Sequence, residues 1–334
     1  MGERQYLVHS EPPIGSTALA AGASPGPRRR RRTWTWGRVG RGSAPYVLIA
    51  PVIAVVGAIL GYPIYKLVTL SLQQYGLFEL IAQQGSWIGL DNFGSVLRDH
   101  VFWGTLERTV IFTVATVGLT MTAGTLLSLL LLRVSTPVRV LLTTGLVLVW
   151  SMPIVVAVQV WYWMTNFHNG VLNHILTELG LGDFFQHDWY ATPFSQLAMS
   201  GLLIVWGGIP FIVVAVYAGL AQVPAELVEA ASIDGAKPWR VFADVTLPIL
   251  KPILLILTSL SIIWNFGVFT QPFLLIGRSH LDSSNYLMGI YAYIEAYANS
   301  NFGRGAAISL LMLLTVAALS VFYVRQMIKI GEVR

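Results

Sequence analysis

Six stretches of this chain are apolar for long enough to cross a bilayer, and more polar segments separate them. A helix needs about 20 apolar residues to traverse the hydrocarbon core. The stretches run from about Tyr46 to Tyr65, Thr109 to Leu132, Val140 to Met164, Gln196 to Ala221, Leu247 to Phe273 and Gly305 to Val324. Pro51, Pro63, Pro153 and Pro210 fall inside or near the ends of these stretches, positions that membrane helices tolerate. The pattern predicts an all-α, polytopic membrane protein with six transmembrane helices.

Lys and Arg in short loops set the expected orientation. The N-terminal flank is strongly basic, the second-to-third loop carries Arg133 and Arg139, and the C-terminal end carries Arg325, Lys329 and Arg334. All three belong in the cytoplasm on this reading. The third-to-fourth loop carries Glu178, Asp183 and Asp188 with no Lys or Arg and belongs outside. Both termini are therefore expected inside, with the chain in a plasma (inner) membrane.

Composition agrees. The chain is 55% hydrophobic and only 11% charged, against about 25% charged in soluble domains. With no cysteine there is no disulfide or thiol chemistry. Residues 1–44 read as a disordered basic cytoplasmic tail, rich in Pro, Gly, Ser and Ala over residues 11–27 and carrying the Arg28–Arg32 run after them. The apolar run after those arginines continues to full membrane-spanning length, which is an uncleaved first span rather than a signal peptide. The arginines read as a topology anchor touching anionic lipid, not as a nucleic-acid site. Residues 45–334 form the transmembrane domain.

The one charged interruption late in the chain, Val228 to Pro252, has its own logic. Pro224 suits a first helical turn, and Glu226 and Glu229 favour the helix N-terminal end. Leu227, Ala230 and Ala231 fall on one side and make a narrow small-residue face. Gly235 permits a left-handed turn. Pro238-Trp239-Arg240-Val241-Phe242 starts a second short helix, and Pro248 and Pro252 mark the start of the next span. Two short helices joined at a glycine make a knob.

Polar residues in mid-membrane usually face a bundle interior or a water-filled cavity. On the third span, Gln159, Trp163 and Asn166 share a face. On the fourth, Gly207 and Gly208 beside Pro210 allow close approach, with Phe211 nearby. On the fifth, Ser261, Asn265 and Phe269 share a face, with Trp264 beside them. Aromatic faces stack on sugar C–H surfaces, and amides take hydroxyls. Packing between helices is the competing use for each of these residues. No lysine, arginine or acid lies in mid-span, which argues against a charged ligand or an ion-coupled carrier.

The loop carries a resemblance. Glu229, Ala230, Ala231, Gly235, Leu247 and Pro248 match the EAA signature of ABC-importer permease subunits, with Val245 replacing its isoleucine. Trp87 to Phe93, then Phe102-Trp103 and Thr109 to Phe112, resemble elements that precede the second span in carbohydrate permeases. The chain is similar to the maltose-permease first-subunit type over residues 45 to 330. The resemblance implies that the loop at about 222–248 is a cytoplasmic coupling helix seated in an ATPase subunit, with Glu229 pairing with a basic residue there. It implies partners: a second homologous permease, two ATPase subunits that hold ATP and Mg, and an extracytoplasmic sugar-binding lipoprotein. By spacing, Gly208, Phe211, Trp264 and Asn265 fall where that family contacts sugar.

The chain has no phosphate loop of the G-x-x-x-x-G-K-S/T type, no H-E-x-x-H and no G-x-S-x-G. No catalytic residue, metal site or bound cofactor is expected, and His168 and His174 read as loop residues. The expected function is import of a sugar or oligosaccharide driven by partner ATPases. The alternatives are the same architecture importing glycerol phosphate esters or polyols, or a stand-alone carrier or intramembrane enzyme.

Overall fold

The structure is a computed structural model, and it describes residues 44–277 and 281–332. The basic tail with its Arg28–Arg32 run lies outside the described residues. The chain divides into two units, Met1–Gly57 and Ala58–Arg334. Of the first, only the start of helix α1 (Ala44–Ser71) is described. All other elements belong to the second.

Beyond α1 comes a two-residue hairpin, β1 (Gln73–Gln74) against β2 (Ser86–Trp87), with α2 (Leu77–Ala82) between its strands, and then α3 (Asp91–Leu97). Helix α4 (His100–Arg133) begins well before the predicted second span, because the Asp99 carboxylate accepts the Val101 N–H and caps it. Glu107 and Arg108 interrupt the apolar run, but one charged turn at a span end does not end a helix.

Next are α5 (Thr136–Trp150) and α6 (Ile154–Met164), which meet at 101°. The single span expected over residues 140 to 164 is therefore broken. Pro153 supplies no N–H and biases the residue before it away from helix, so the chain turns there instead of passing through. After α7 (Val171–Glu178), α8 (Pro193–Leu220) opens on Thr192, whose hydroxyl accepts the Ser195 N–H.

Helix α9 (Ala225–Ile233) leads to α10 (Pro238–Arg240), a π-turn over Val241–Thr246, and α11 (Leu247–Phe266). These last three run as one helix, Pro238–Phe266. The expected separate second short helix is thus the first turn of the span itself, and the fifth span ends at Phe266 rather than Phe273. Pro248 cannot donate a hydrogen bond and crowds the preceding turn; the wider π-turn just before it relieves both problems. The chain ends with α12 (Thr270–Ile276), α13 (Met288–Tyr293) running into a π-turn at Ile294–Ala298, and α14 (Phe302–Glu332). Among the described residues, five helices are long and apolar enough to cross a membrane, or six if the bent α5–α6 pair counts as one.

Helices α4 and α8 form the central seam. On α4, Thr105, Thr109, Thr113, Thr116, Thr120, Gly124 and Ser128 recur at steps of three or four, and all are buried. The hydroxyls of Thr109, Thr116, Thr120 and Ser128 donate to carbonyls four residues back, so they are satisfied without a bulky partner. Small residues then let the backbones close in. A Cβ on Gly124 would lie 2.5 Å from Ile212 Cγ2, and one on Gly208 would lie 3.1 Å from Thr120 Cγ2. Ile212, Val216 and Leu220 continue the packing onto Leu250 and Leu257 of α11.

At the end of the seam away from α9, Asn92 Nδ2 donates to the carbonyls of Ser71 and Gln73 (2.9 and 2.8 Å). Asp99 also pairs with Arg304 and accepts the Tyr291 hydroxyl. Burial raises the Asp99 pKa, but the Val101 N–H, Tyr291 and Arg304 outweigh it and hold the carboxyl below the usual carboxylate range. Burial pushes the Tyr291 phenol up to about 12. This cluster fixes α13 and α14 to the start of α4 over the buried Val96, Phe102, Met288 and Ile308.

Gly124→Val should destabilise the protein by about 1–3 kcal/mol through overpacking, with Ile212→Ala in the same chain recovering part of the loss. Thermal unfolding of the detergent-purified protein reads both; an unchanged midpoint for Gly124→Val would contradict the seam.

Candidate substrate cavity and coupling loop

A cavity of about 470 Å³ lies between the α5–α6 corner, α8 and the end of α11. Each wall has a local origin. The turn at Pro153 brings Trp150, Met152 and Ile154 to it. Helix α8 contributes Ile204, Trp206, Gly207, Gly208 and Phe211. Helix α11 contributes Ser261, Trp264 and Asn265, and the turn after Phe266 adds Phe269, Thr270 and Gln271. No Asp, Glu, Lys or Arg lines it.

Five aromatic residues, Trp150, Trp206, Phe211, Trp264 and Phe269, share the wall with aliphatic side chains. Trp150 stacks on Phe211 (6.1 Å between centroids), and Phe211 tilts against Trp264 (5.3 Å). Asn265 Nδ2 donates to the Ser261 carbonyl at 2.7 Å, while its Oδ1 is buried with no hydrogen-bond partner. A buried, unpaired amide oxygen costs about 1–3 kcal/mol, so this atom is an acceptor awaiting a donor.

The four residues singled out by spacing, Gly208, Phe211, Trp264 and Asn265, come together on this cavity. The two glycines divide the roles that competed for them. Gly208 faces Thr120, whereas Gly207 meets nothing within 4 Å. Gln159 and Trp163 do not line the cavity, and Trp163 is 58% exposed. The reason is the corner at Pro153, which swings α6 so that Ala157, not Gln159, meets the cavity. Asn166 instead accepts the His168 and Asn169 N–H groups in the following turn. Phe269 reaches the cavity from beyond the helix end rather than along a shared helical face with Asn265. Trp150, Trp206 and Thr120 join the lining without having been singled out by sequence. The threonine stripe was the available signal for the last; the tryptophans read only as apolar positions.

At the other end, α9 closes with a Schellman motif. The Ala236 N–H donates to the Ala231 carbonyl (3.0 Å), and the Gly235 N–H donates to the Ser232 carbonyl (3.1 Å). This geometry needs a left-handed residue after the cap, and Gly235 has φ of +80°. Glu229 and Ala230 are exposed and Ala231 is half-buried, while Gly235, Leu247 and Pro248 are exposed. The face turned inward is Val228 with Ala231, while Leu227 of the small-residue face is 48% exposed. Val228, Glu229, Ser232 and Ala236 border a second cavity of about 480 Å³ against the ends of α4 and α8. Ile233 and Trp239 are 85% and 63% exposed, an apolar pair on the loop surface that no sequence pattern marks.

A bundle of apolar helices around an uncharged cavity, with this loop at one end, defines a helical membrane permease. Residues 120–328 match the family of binding-protein-dependent transport system inner membrane components, and the chain belongs to that family. It is similar to the diacetylchitobiose uptake system permease protein DasB of Streptomyces coelicolor, with 39% identity over 86% of this chain and 88% of that protein. It is also similar to the trehalose/maltose transport system permease protein MalF of Thermococcus litoralis, with 29% identity over 86% of this chain and 94% of that protein. In fold it resembles a chain of a bacterial alginate ABC transporter in complex with an alginate pentasaccharide-bound periplasmic protein, with a TM-score of 0.70, 17% identity and coverage of 86% of this chain and 96% of that one.

Gly235→Val should fray the end of α9, since a left-handed backbone costs a side-chain-bearing residue about 1–2 kcal/mol, while Gly235→Asn should largely preserve it. Hydrogen exchange at the Gly235 and Ala236 amides separates them; equal protection in both variants would refute the capping role.

Proposed function

We propose that this chain is the membrane-spanning permease subunit of an ABC importer and that it carries a neutral sugar or oligosaccharide. The observation that carries the reading is the cavity: stacked aromatic rings, one unpaired amide acceptor at Asn265, and no charge in the lining. Rings match the C–H faces of a pyranose, and an acceptor matches a hydroxyl or amide N–H. A phosphate ester would need cations that this lining lacks. The names of the two relatives, which concern small saccharides, support the same class.

On this reading Gly208, Phe211, Trp264 and Asn265 contact the sugar, with Trp150 and Trp206 added from the structure. Glu229, Ala230, Ala231, Gly235, Leu247 and Pro248 couple the spans to an ATPase. The exposed Ile233 and Trp239 suit an apolar cleft there, and Glu229 suits a basic partner. The assembly consists of a second homologous permease, two ATPase subunits that hold ATP and Mg, and an extracytoplasmic sugar-binding lipoprotein. Both termini and the coupling loop face the cytoplasm. ATP-driven closure of the ATPases moves the loop, and the spans alternate between two states.

The test is ATP-dependent uptake of labelled di- and oligosaccharides into vesicles holding the complex purified with this chain. Asn265→Leu should raise the half-saturating sugar concentration about tenfold, the scale of one buried hydrogen bond to a ligand; an unchanged value counts against the cavity. Glu229→Lys should abolish uptake while the chain stays in the membrane, and normal uptake by that variant would remove the coupling assignment.

A further inference from the structure

Between the cavity and the span ends opposite the coupling loop, two layers close the chain. The first is apolar: Phe112, Val268 and Leu287 are buried together, with Leu197 and Ile204 packed against them. Phe112 precedes the cavity residue Thr120 by eight positions (120 − 112), which is about 12 Å of helix rise. Val268 and Ile204 belong to both the layer and the cavity wall, so this layer is the cavity's far wall.

The second layer is polar and lies just beyond. Arg108 Nη1 donates to the carbonyls of Tyr286 (2.8 Å) and Ser283 (3.2 Å). Thr109 Oγ1 accepts the Met288 N–H (3.0 Å). Asn285 Nδ2 donates to Gln196 Oε1 (2.8 Å), Asn285 Oδ1 accepts the Asp282 N–H (3.1 Å), and Gln196 Nε2 donates to the Tyr190 carbonyl (2.9 Å). Asn285 and Gln196 are 1% and 5% exposed. Segment 282–287 carries no helix or strand. Side chains from α4 and α8 therefore hold it, and it in turn seats Leu287 in the apolar layer.

We propose that Arg108, Gln196 and Asn285 are positioning residues that latch segment 282–287 over the cavity, and that releasing this latch opens the cavity on that side. The inference rests on the transport reading for its purpose, but its geometry stands apart. Its chemistry suits reversal. The contacts between the latch side chains and the segment are amide to amide and guanidinium to carbonyl, and water replaces each of them when the segment lifts. Their net contribution is then small in either state, which leaves two states close in free energy. The ionic Asp99–Arg304 cluster, by contrast, holds α13 and α14 to α4 beside the moving segment.

The chain has no cysteine, so Ser261→Cys places its one thiol in the cavity. The complex carrying it is reconstituted in vesicles and treated with a membrane-impermeant maleimide from either side, without sugar or ATP. Adding Gln196→Leu, or separately Arg108→Gln, should speed labelling from the latch side about tenfold, the scale of losing one or two buried hydrogen bonds, and leave labelling from the coupling-loop side unchanged. The swapped pair Gln196→Asn with Asn285→Gln, which keeps two amides in reach, should label close to the parental rate. Parental rates in both latch variants, or equal acceleration from both sides, overturns the proposal. Recovery of the complex at parental yield is the folding control, and the two variants sit on different helices so that one misfolding leaves the other. Labelling needs no sugar. A parent that carries none while the latch variants accelerate would remove the sugar reading and leave the latch standing.

Discussion

The close approach of α4 and α8 is the constraint on which the rest of the chain depends. Water drives apolar side chains together in a soluble core, but in lipid that drive is absent between helices, and packing must come from fit. Here the fit comes from threonines, a glycine and a serine that remove bulk from one face of α4. The hydroxyls of Thr109, Thr116, Thr120 and Ser128 are satisfied by carbonyls of their own helix, so they carry polar atoms into an apolar setting with little penalty, whereas those of Thr105 and Thr113 are buried without a partner. Ile212 sets the limit, because it occupies the space that a side chain on Gly124 would need.

With one face committed to that seam, α8 presents the next to the cavity and a third to α11. Gly207 and Gly208 show the division at adjacent positions, one open and one in contact. The cavity inherits its chemistry from this arrangement. Residues that reach it are those left over once packing is complete: large rings, aliphatic side chains, the amides of Asn265 and Gln271, and short hydroxyl side chains. The unpaired Asn265 Oδ1 is tolerable because the other half of its amide is anchored to Ser261, so the acceptor is oriented before anything binds it.

The apolar periodicity was enough to read the class of fold, since a run of about 20 apolar residues has few other uses. One position of the loop after α8 was equally legible. Gly235 could be placed in a left-handed turn because its neighbours on both sides have helix-starting prolines, and the structure adds only the capping pattern that makes the turn necessary. What failed were positions decided by tertiary context. Pro153 could bend a span or be tolerated in one, and nothing local distinguishes the two; once it bends the span, Gln159 and Trp163 leave the cavity together. The start of α4 was hidden by Glu107 and Arg108, which looked like loop residues and are helical. Pro248 looked like the beginning of a span because the π-turn that accommodates it has no residue signature. The α4 stripe was readable in principle, as small polar residues at steps of four, but its meaning required the partner helix.

That π-turn has a consequence for how length and direction are linked in this molecule. The helix from Pro238 to Phe266 is a single rod about 43 Å long by its rise per residue, with Trp239 at one tip and Trp264 near the other. A π-turn holds one residue more than an α-turn, so the two parts of the rod are offset in azimuth by about 100° relative to an uninterrupted helix. Losing one residue between Val241 and Thr246 would leave a smoother and more regular helix of nearly the same length. It would also rotate the Trp264–Asn265 edge away from the cavity, or the Trp239 edge away from its surface, by roughly a quarter turn. The irregularity is thus a phase setting between two ends of one rod, and a more ideal helix there would be mis-aimed.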